Sequence, residues 1–231
     1  MEPQVFFLNR SPGGSLSNHD MDTLLDHLAR GRFAVLPTET GPMLACDALN
    51  EKSISRLFSI KGRSAENPIH VALSRFSAAE DYVVVNGASE RIAGALMPGP
   101  ITIVLPKKPN ISDKLVAGTG HLGIRIVDNP VTQLICEALR APITATSLNP
   151  SGEQPADSVV ATIKSLNWHE PSIVYVVGGH DTILYDKAST VIRFLEGQGE
   201  HYEVLREGPI VAQNIENAVR RLSFQDMADW G

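Results

Sequence analysis

The chain has 231 residues, of which 43% are hydrophobic and 20% are charged, a composition typical of a globular protein with a sizeable core. The formal net charge of −6 argues against broad electrostatic binding to nucleic acid but allows a local basic pocket for a small anion. No apolar run approaches the roughly 20 residues that span a bilayer, and the opening MEPQVFFLNR lacks the features of a secretory signal. We therefore expect a cytoplasmic protein that does not enter the membrane.

The first half of the chain alternates between strand-like and helix-like segments. One helical face is marked by Met21, Leu24, Leu25 and Leu28, and Gly31 is well placed to end that helix. In chain order the pattern predicts an edge strand at 5–8, a helix within 15–31, a strand at 32–37, a helix at 51–60, a strand at 69–73 and a helix at 88–96.

The second half continues the alternation and ends in two neighbouring strands. In chain order we expect a turn and strand at 97–106, a strand at 122–127, a helix at 131–140, a strand at 142–146, a helix at 159–166, strands at 172–177, 189–194 and 202–207, and a helix at 212–222. This order predicts an α/β fold with a mixed sheet, because the last strands pair closely, and one domain over residues 1–231.

Cys46 and Cys136 lie far apart in apolar surroundings, which indicates buried thiols.

Two short motifs are candidates for anion binding. In LFSIKGRSAENPI, Lys61 and Arg63 either terminate a helix, where cations and a glycine are favoured, or present an ammonium and a guanidinium to phosphate. In TSLNPSG, Ser147 and Asn149 belong either to a turn or to a ligand site at the carboxyl end of a strand.

Other polar residues have two interpretations as well. Thr38 and Thr40, with Glu39 between them in PTET after a strand, either cap the next element or recognise a polar head group. Arg125 lies in the apolar strand LGIRIV, so it needs either a buried carboxylate or an anionic ligand. The same two alternatives apply to Arg206 in VLREG, a buried carboxylate partner or an anionic ligand. The histidines and cysteines show no metal-ligand spacing, so we expect no metal held by protein side chains.

Taken together and in order, these motifs resemble the YrdC-like family. The resemblance covers about residues 5–210 and rests on the lysine-x-arginine pair, the serine-x-asparagine pair, the Pro-Gly-Pro turn at 98–100 and the segments LPTETGPMLACDA, ASTVIRF and VLREGPI. It implies a twisted mixed sheet flanked by helices, with a deep, positively charged central cavity.

The resemblance also implies an activity. Members of the family include threonylcarbamoyl-adenylate synthases, nucleotidyltransferases that combine L-threonine, bicarbonate and ATP and release pyrophosphate, for the threonylcarbamoyladenosine modification of tRNA. By position, Lys61 and Arg63 would hold the ATP phosphates as the catalytic pair, assisted by Ser147, Asn149 and Arg206. Threonine would contact Thr38, Arg125 and Ser189, with Arg125 on its carboxylate.

The same resemblance implies the cofactors and partners. Mg²⁺ would be carried by the phosphates and water. The product would pass to tRNA-modification proteins.

This sequence departs from the family pattern on the side of the cavity expected to hold threonine. Pro42, Met43, Leu44 and Ala45 stand where family members usually have Tyr-Gly-Leu-Gly, and Ala72 stands where many have histidine, although His70 shares that strand face. These changes resemble the YciO-like branch. A second interpretation therefore remains open: a divergent nucleotide- or weakly RNA-binding paralogue without threonine-dependent activity.

Overall fold

The computed structural model describes residues 2–11, 14–154, 156–169, 172–178, 183–195 and 201–218. Within these residues α-helices alternate with the strands of a sheet, and those with both ends described are α1 Asn18–Ala29, α2 Glu51–Lys61, α3 Gly87–Leu96, α4 Pro130–Leu139 and α5 Val159–Ser165. A 3₁₀ helix covers Phe76–Asp81. The strands are β1 Gln4–Asn9, β2 Phe33–Leu36, β3 Met43–Ala45, β4 His70–Ala72, β5 Ile101–Pro106, β6 His121–Arg125, β7 Ile143–Ser147, β8 Ile173–Gly178, β9 Thr190–Phe194 and β10 Tyr202–Arg206.

The ten described strands form one mixed sheet in the order β1-β8-β2-β3-β7-β4-β6-β5-β9-β10. Strands β1, β8 and β2 run parallel, whereas β2, β3, β7 and β4 pair antiparallel in succession. Strand β4 is parallel to β6, and β5 pairs antiparallel with β6 and parallel with β9. The predicted mixed sheet is confirmed, as is the pairing of the last two strands, which is antiparallel.

Both faces of the sheet are packed. Successive residues of a strand point to opposite faces, and in β2 Phe33 and Val35 enter one hydrophobic cluster while Ala34 and Leu36 enter another. The larger cluster includes Ile54 and other residues of α2, and the smaller one includes residues of α1 and α4. Helices therefore flank the sheet and leave its central strands buried.

Local sequence signals explain several helix boundaries. The side chain of Ser17 accepts a hydrogen bond from the backbone N–H of Asp20 and begins α1. Asn129 does the same for α4, whose first residue is Pro130, a position that needs no N–H donor. These caps account for the agreement between predicted and observed helices to within a few residues.

The differences concern short elements. The sequence pattern does not predict β3 or the 3₁₀ helix, because three residues are too few to show a strand period. The predicted C-terminal helix is present at residues 212–218, and its expected continuation to residue 222 lies outside the described residues. Cys46 and Cys136 are free and buried, as expected, and burial raises the pKa of each thiol to about 12.

Within the part of the chain that the structure describes, no helix combines the length and the apolarity that a membrane crossing requires.

Candidate active site

A cavity of about 480 Å³ lies over the middle of the sheet. Five strands that are consecutive in the sheet each contribute a lining side chain: Met43 from β3, Ser147 from β7, His70 from β4, Arg125 from β6 and Thr102 from β5. Seven of the eight predicted site residues line this cavity, namely Thr38, Arg63, Arg125, Ser147, Asn149, Ser189 and Arg206. The eighth, Lys61, lies behind the loop that carries Ser147 and Asn149.

The end of α2 separates the two predicted phosphate-binding cations. Gly62 adopts a left-handed conformation with φ of 59°. The backbone N–H of Arg63 donates to the carbonyl of Phe58, and that of Gly62 donates to the carbonyl of Ser59. This pair of bonds is a Schellman motif, which reverses the chain after the helix. Helix termination and placement of Lys61 and Arg63 are thus the same structural feature.

Lys61 points into the protein. Its side chain is 2% exposed, and its Nζ donates to the backbone carbonyls of Ser147 and Asn149, the latter at 2.6 Å. The backbone carbonyl of Lys61 in turn accepts from the N–H of Ser151. Burial, and secondarily the charge of Arg63, lowers the pKa of the Lys61 ammonium from 10.5 to about 8. Lys61 therefore holds the Ser147–Asn149 loop from beneath with a charged donor.

Arg63 is held by the segment that follows it. Its Nε donates to the carbonyl of Asn67 at 3.0 Å and its Nη2 to the carbonyl of Pro68 at 2.7 Å. Both acceptors are neutral, so the guanidinium is oriented but its charge is not neutralised by a carboxylate in these contacts. Burial lowers its pKa from the ordinary value, and its remaining surface faces the cavity.

The Ser147–Asn149 loop is ordered by its own side chains. The hydroxyl of Ser147 bonds to Oδ1 of Asn149, whose Nδ2 donates to the carbonyls of Pro150 and Glu153 at 2.8 and 2.7 Å. Met43 pairs with Ser147 across β3 and β7, and the N–H of Leu148 donates to the carbonyl of Pro42. The segment that departs from the family pattern therefore packs directly against this loop.

Arg125 makes a buried ion pair that the sequence left undecided. Its Nη2 donates to Oε1 of Glu39 at 2.7 Å and to Oγ1 of Thr40 at 2.8 Å. The second oxygen of Glu39 accepts from the N–H of Asp128 at 3.0 Å. The Nε of Arg125 is buried and has no hydrogen-bond partner in the part of the chain that the structure describes, and the side chain also lines the cavity. Arg125 is therefore both a structural ion-pair partner and a candidate anion ligand.

The remaining predicted threonine ligands form two small networks. Thr38 Oγ1 donates to the carbonyl of Gly41 at 2.6 Å and accepts from the N–H of Thr40, so it shapes its own loop. Ser189 shares a 3.0 Å hydroxyl bond with Thr102. Arg206 donates to both the carbonyl and the hydroxyl of Ser189, at 2.9 and 3.1 Å. The structure thus places Arg206 beside Ser189.

The cavity is electropositive. Partial burial, and then the charges of Arg125 and Arg63, lowers the pKa of Arg206. Burial, and then Arg206, Arg63 and Arg125 in that order, lowers the pKa of His70 to about 4. Glu153 and Asp186 are the acidic side chains that line the described part of the cavity. Three guanidiniums that line a single cavity favour an anionic ligand.

Sequence reasoning did not assign roles to several residues here. Glu39 was expected only as the carboxylate between two capping threonines, and Thr102 carried no signal of its own. Their partners, Arg125 and Ser189, are 86 and 87 positions away in the chain. The need of a buried arginine for a carboxylate was visible in the sequence, but the identity of that carboxylate depends on the tertiary fold.

Over the described residues, no group of three or more His, Cys, Asp and Glu side chains is arranged to hold a metal ion.

The fold and the site together define an α/β protein with an arginine-lined cavity across a mixed sheet. The Sua5/YciO/YrdC family model, described as "telomere recombination", matches residues 26–208, and the chain belongs to this family. A protein of Methanocaldococcus jannaschii named putative threonylcarbamoyl-AMP synthase is 30% identical over 195 residues, which cover 84% of this chain and 88% of that protein.

Solved structures show the same fold. Sua5 of P. abyssi, determined in complex with L-threonine, superposes with a TM-score of 0.79 at 24% identity and covers 93% of this chain. The match spans 60% of the Sua5 chain, which is therefore considerably longer. E. coli YciO superposes with a TM-score of 0.75 at 22% identity, covering 93% of this chain and 100% of that one.

Proposed function

We propose that this protein is a threonylcarbamoyl-adenylate synthase, a nucleotidyltransferase that uses L-threonine, bicarbonate and ATP. The observation that carries the proposal is the convergence of Arg63, Arg125 and Arg206 with the Ser147–Asn149 loop on one cavity. Both the triphosphate and the carboxylate of threonine are anions that such a cavity favours. The 30% identical relative bears the name of this activity, and the P. abyssi Sua5 structure contains L-threonine.

ATP binds at the end of the cavity formed by Arg63 and the Ser147–Asn149 loop. Arg63 can direct its planar guanidinium at phosphate oxygens, because its contacts to carbonyl groups leave its charge available. Ser147 and Asn149 supply a hydroxyl and an amide. Two of the three N–H groups of Lys61 hold this loop, so from its buried position behind the loop Lys61 acts on the phosphates through its positive charge. Arg206 assists from the opposite wall.

Threonine binds at the end of the cavity formed by Arg125, Thr38 and Ser189. The guanidinium of Arg125, which lines the cavity, is the donor for the carboxylate. The hydroxyls of Thr38 and Ser189 lie in networks that already fix their orientation, so the pocket needs little rearrangement to hold a small polar molecule. Pro42 and Met43 line the same cavity and set the shape of the pocket in this chain.

The reaction needs positioning more than covalent help. The amine of threonine and bicarbonate give a carbamate and water. A carbamate oxygen then forms a bond to the α-phosphorus while the bond from that phosphorus to the pyrophosphate oxygen breaks. Negative charge that develops on the phosphoryl oxygens is stabilised by Arg63 and Lys61. No enzyme nucleophile takes part, and Mg²⁺ is carried on phosphate oxygens and water, the ligands it prefers.

The proposal places the protein in the cytoplasm, where its product passes to proteins that complete threonylcarbamoyladenosine on tRNA. Direct detection of the product tests it. Purified protein is incubated with ATP, L-threonine and isotopically labelled bicarbonate. The nucleotides are then separated, and their masses are measured by mass spectrometry. A threonylcarbamoyl-adenylate that carries the label is the expected result.

If ATP binds but no labelled adenylate forms, the proposal fails and the alternative is favoured. That alternative is a YciO-like nucleotide- or weakly RNA-binding paralogue, in which Pro42 and Met43 beside Ser147 have changed the pocket.

A further inference from the structure

The imidazole of His70 fits into a space left by small residues on the two neighbouring strands. It lies on β4 directly across from Ala145 of β7 and next to Gly123 of β6. A Cβ atom on Gly123 would lie only 2.1 Å from Nδ1 of the imidazole, so the ring fits because residue 123 has no side chain. Small residues on both sides thus admit the ring, and its open side lines the cavity.

The hydrogen bonding of His70 differs from that of a core histidine. His27 offers the contrast within the same chain, because its buried Nε2 bonds to the carbonyl of Phe33 at 3.1 Å. In His70, Nδ1 is buried and has no hydrogen-bond partner among the described residues. A buried polar atom is normally paired, so an exception at a cavity wall calls for an explanation. Nε2 is the nitrogen that remains for a group inside the cavity.

Its position between the arginines keeps the imidazole neutral. Burial, followed by Arg206, Arg63 and Arg125, holds the pKa of His70 far below its usual range. A neutral imidazole carries a single N–H. Placing that proton on Nε2 avoids burying an unpaired N–H at Nδ1 and directs a donor into an electropositive cavity. A neutral donor adds a hydrogen bond to an anion without adding repulsion to the cationic cluster.

The geometry points to His70 as a further substrate-binding residue, whose Nε2–H donates to an anionic phosphate oxygen where the ATP and threonine ends of the cavity meet. This inference rests on the proposed function for the identity of the anion. His70 lies on β4, which is flanked in the sheet by β7, carrying Ser147 at the ATP end, and by β6, carrying Arg125 at the threonine end. It therefore lies between the two ends. Its role is to orient the phosphate that the carbamate attacks.

Three substitutions separate this role from simple packing. His70→Phe keeps an aromatic ring in this space but removes both nitrogens. His70→Gln can place an amide N–H near the position of Nε2, whereas His70→Asn places its amide near Nδ1 and cannot reach as far. His19→Gln, at an exposed position on α1, is the matched control. Thermal unfolding of each variant checks that the fold is retained.

Two readouts are measured on these proteins. One is the affinity for ATP alone, without threonine or bicarbonate, and the other is the kcat and KM for pyrophosphate release in the complete mixture. We expect His70→Phe and His70→Asn to weaken ATP binding by about tenfold or more, the effect of losing one hydrogen bond to a charged group. His70→Gln is expected to stay within about threefold of the original protein.

The outcomes distinguish this inference from the proposed function. Equal ATP affinity in folded His70→Phe and the original protein would overturn the role of His70, even if the original protein makes the adenylate. Equal losses in the Gln and Phe variants would also overturn it, since packing alone would then explain the effect. A weakened His70→Phe with an intact His70→Gln supports it, even if the original protein shows no threonine-dependent reaction.

Discussion

The two ends of the cavity hold their cations in different ways. At the end formed by Lys61 and Arg63, the hydrogen bonds of the charged groups to described residues all go to backbone carbonyls, which are neutral acceptors. At the other end, Arg125 is paired with the carboxylate of Glu39, which is fully buried. The first end keeps its positive charge in these contacts, whereas the second has largely neutralised it.

This difference suits two kinds of ligand. A triphosphate carries several negative charges and needs uncompensated cations. An amino acid carries one carboxylate and an amine, so it needs a fixed donor more than a strong field. A buried ion pair stabilises geometry only when both partners are present, because removing one leaves an unpaired charge. We therefore expect changes at the Lys61/Arg63 end to affect ATP binding, and changes at the Arg125 end to affect folding and threonine together.

The largest effect is expected for Arg63→Ala. The substitution removes a guanidinium that can bond two phosphate oxygens, and we expect ATP affinity to fall by about 100-fold or more, with little change in the unfolding temperature. Calorimetric titration with ATP measures it. Arg32→Ala, at an exposed position before β2, is the control. Unchanged ATP affinity in Arg63→Ala would show that this arginine serves only its own loop.

Glu39→Gln is expected to be the strongest change at the opposite end. It keeps the side-chain shape but leaves the Arg125 charge buried without its carboxylate, and we expect a loss of about 3 kcal/mol in the free energy of unfolding. Chemical denaturation measures this loss. The KM for threonine should rise more than the KM for ATP. The reverse order of the two KM effects would contradict the division of the cavity into two ends.

The pH dependence of ATP binding tests Lys61. Its pKa of about 8 lies within an accessible range, so without ligand the ammonium loses its proton as the pH rises through this value. We expect the affinity for ATP to weaken several-fold between about pH 7 and pH 9.5. Lys61→Arg, which stays protonated, should remove most of this dependence. A pH dependence that persists unchanged in Lys61→Arg would assign it to another group.

The stability of the ligand-free protein should respond to pH in the opposite direction. The pKa of Lys61 is lower in the folded chain than the ordinary 10.5, so the unfolded chain binds more protons between these two values. The contribution of Lys61 to the free energy of unfolding therefore rises as the pH increases from about 8 to 10.5. Denaturation of the original protein and Lys61→Arg across this range measures the contribution.

The smallest effect is expected for Ser189→Ala. The hydroxyl bonds to Thr102 and accepts from Arg206, and its loss should cost about 1 kcal/mol in threonine binding. That corresponds to about a fivefold rise in the KM for threonine, with the KM for ATP within about twofold. A larger effect on ATP than on threonine would assign Ser189 to the nucleotide end, with Arg206.

Much of the fold was predictable because its signals are local. The apolar period of α1 and α2, the cap at Gly62 and the apolar runs of β5 and β6 lie within short stretches of chain. The order of the ten strands is not local, and neither is β3, whose three residues form a strand through their partners β2 and β7. Tertiary pairing, rather than propensity, defines that element.

The site, like the fold, has features that local sequence predicts and features that only tertiary contacts define. The spacing of Ser147 and Asn149 indicated a shared loop, and the structure brings both to the cavity. The sequence did not indicate that the Lys61 ammonium would lie beneath that loop, because its acceptors are 86 and 88 positions away. The same holds for Glu39, since a carboxylate between two threonines resembles an ordinary cap until the fold brings Arg125 to it.

Pyrophosphate release from ATP by the purified protein, with threonine and bicarbonate omitted singly and together, tests the central claim most directly. The account predicts release only when both are present, because the attacking carbamate forms from the two together. Release that is independent of threonine, or no release from protein that binds ATP, would contradict the assignment of the Arg125 end to threonine.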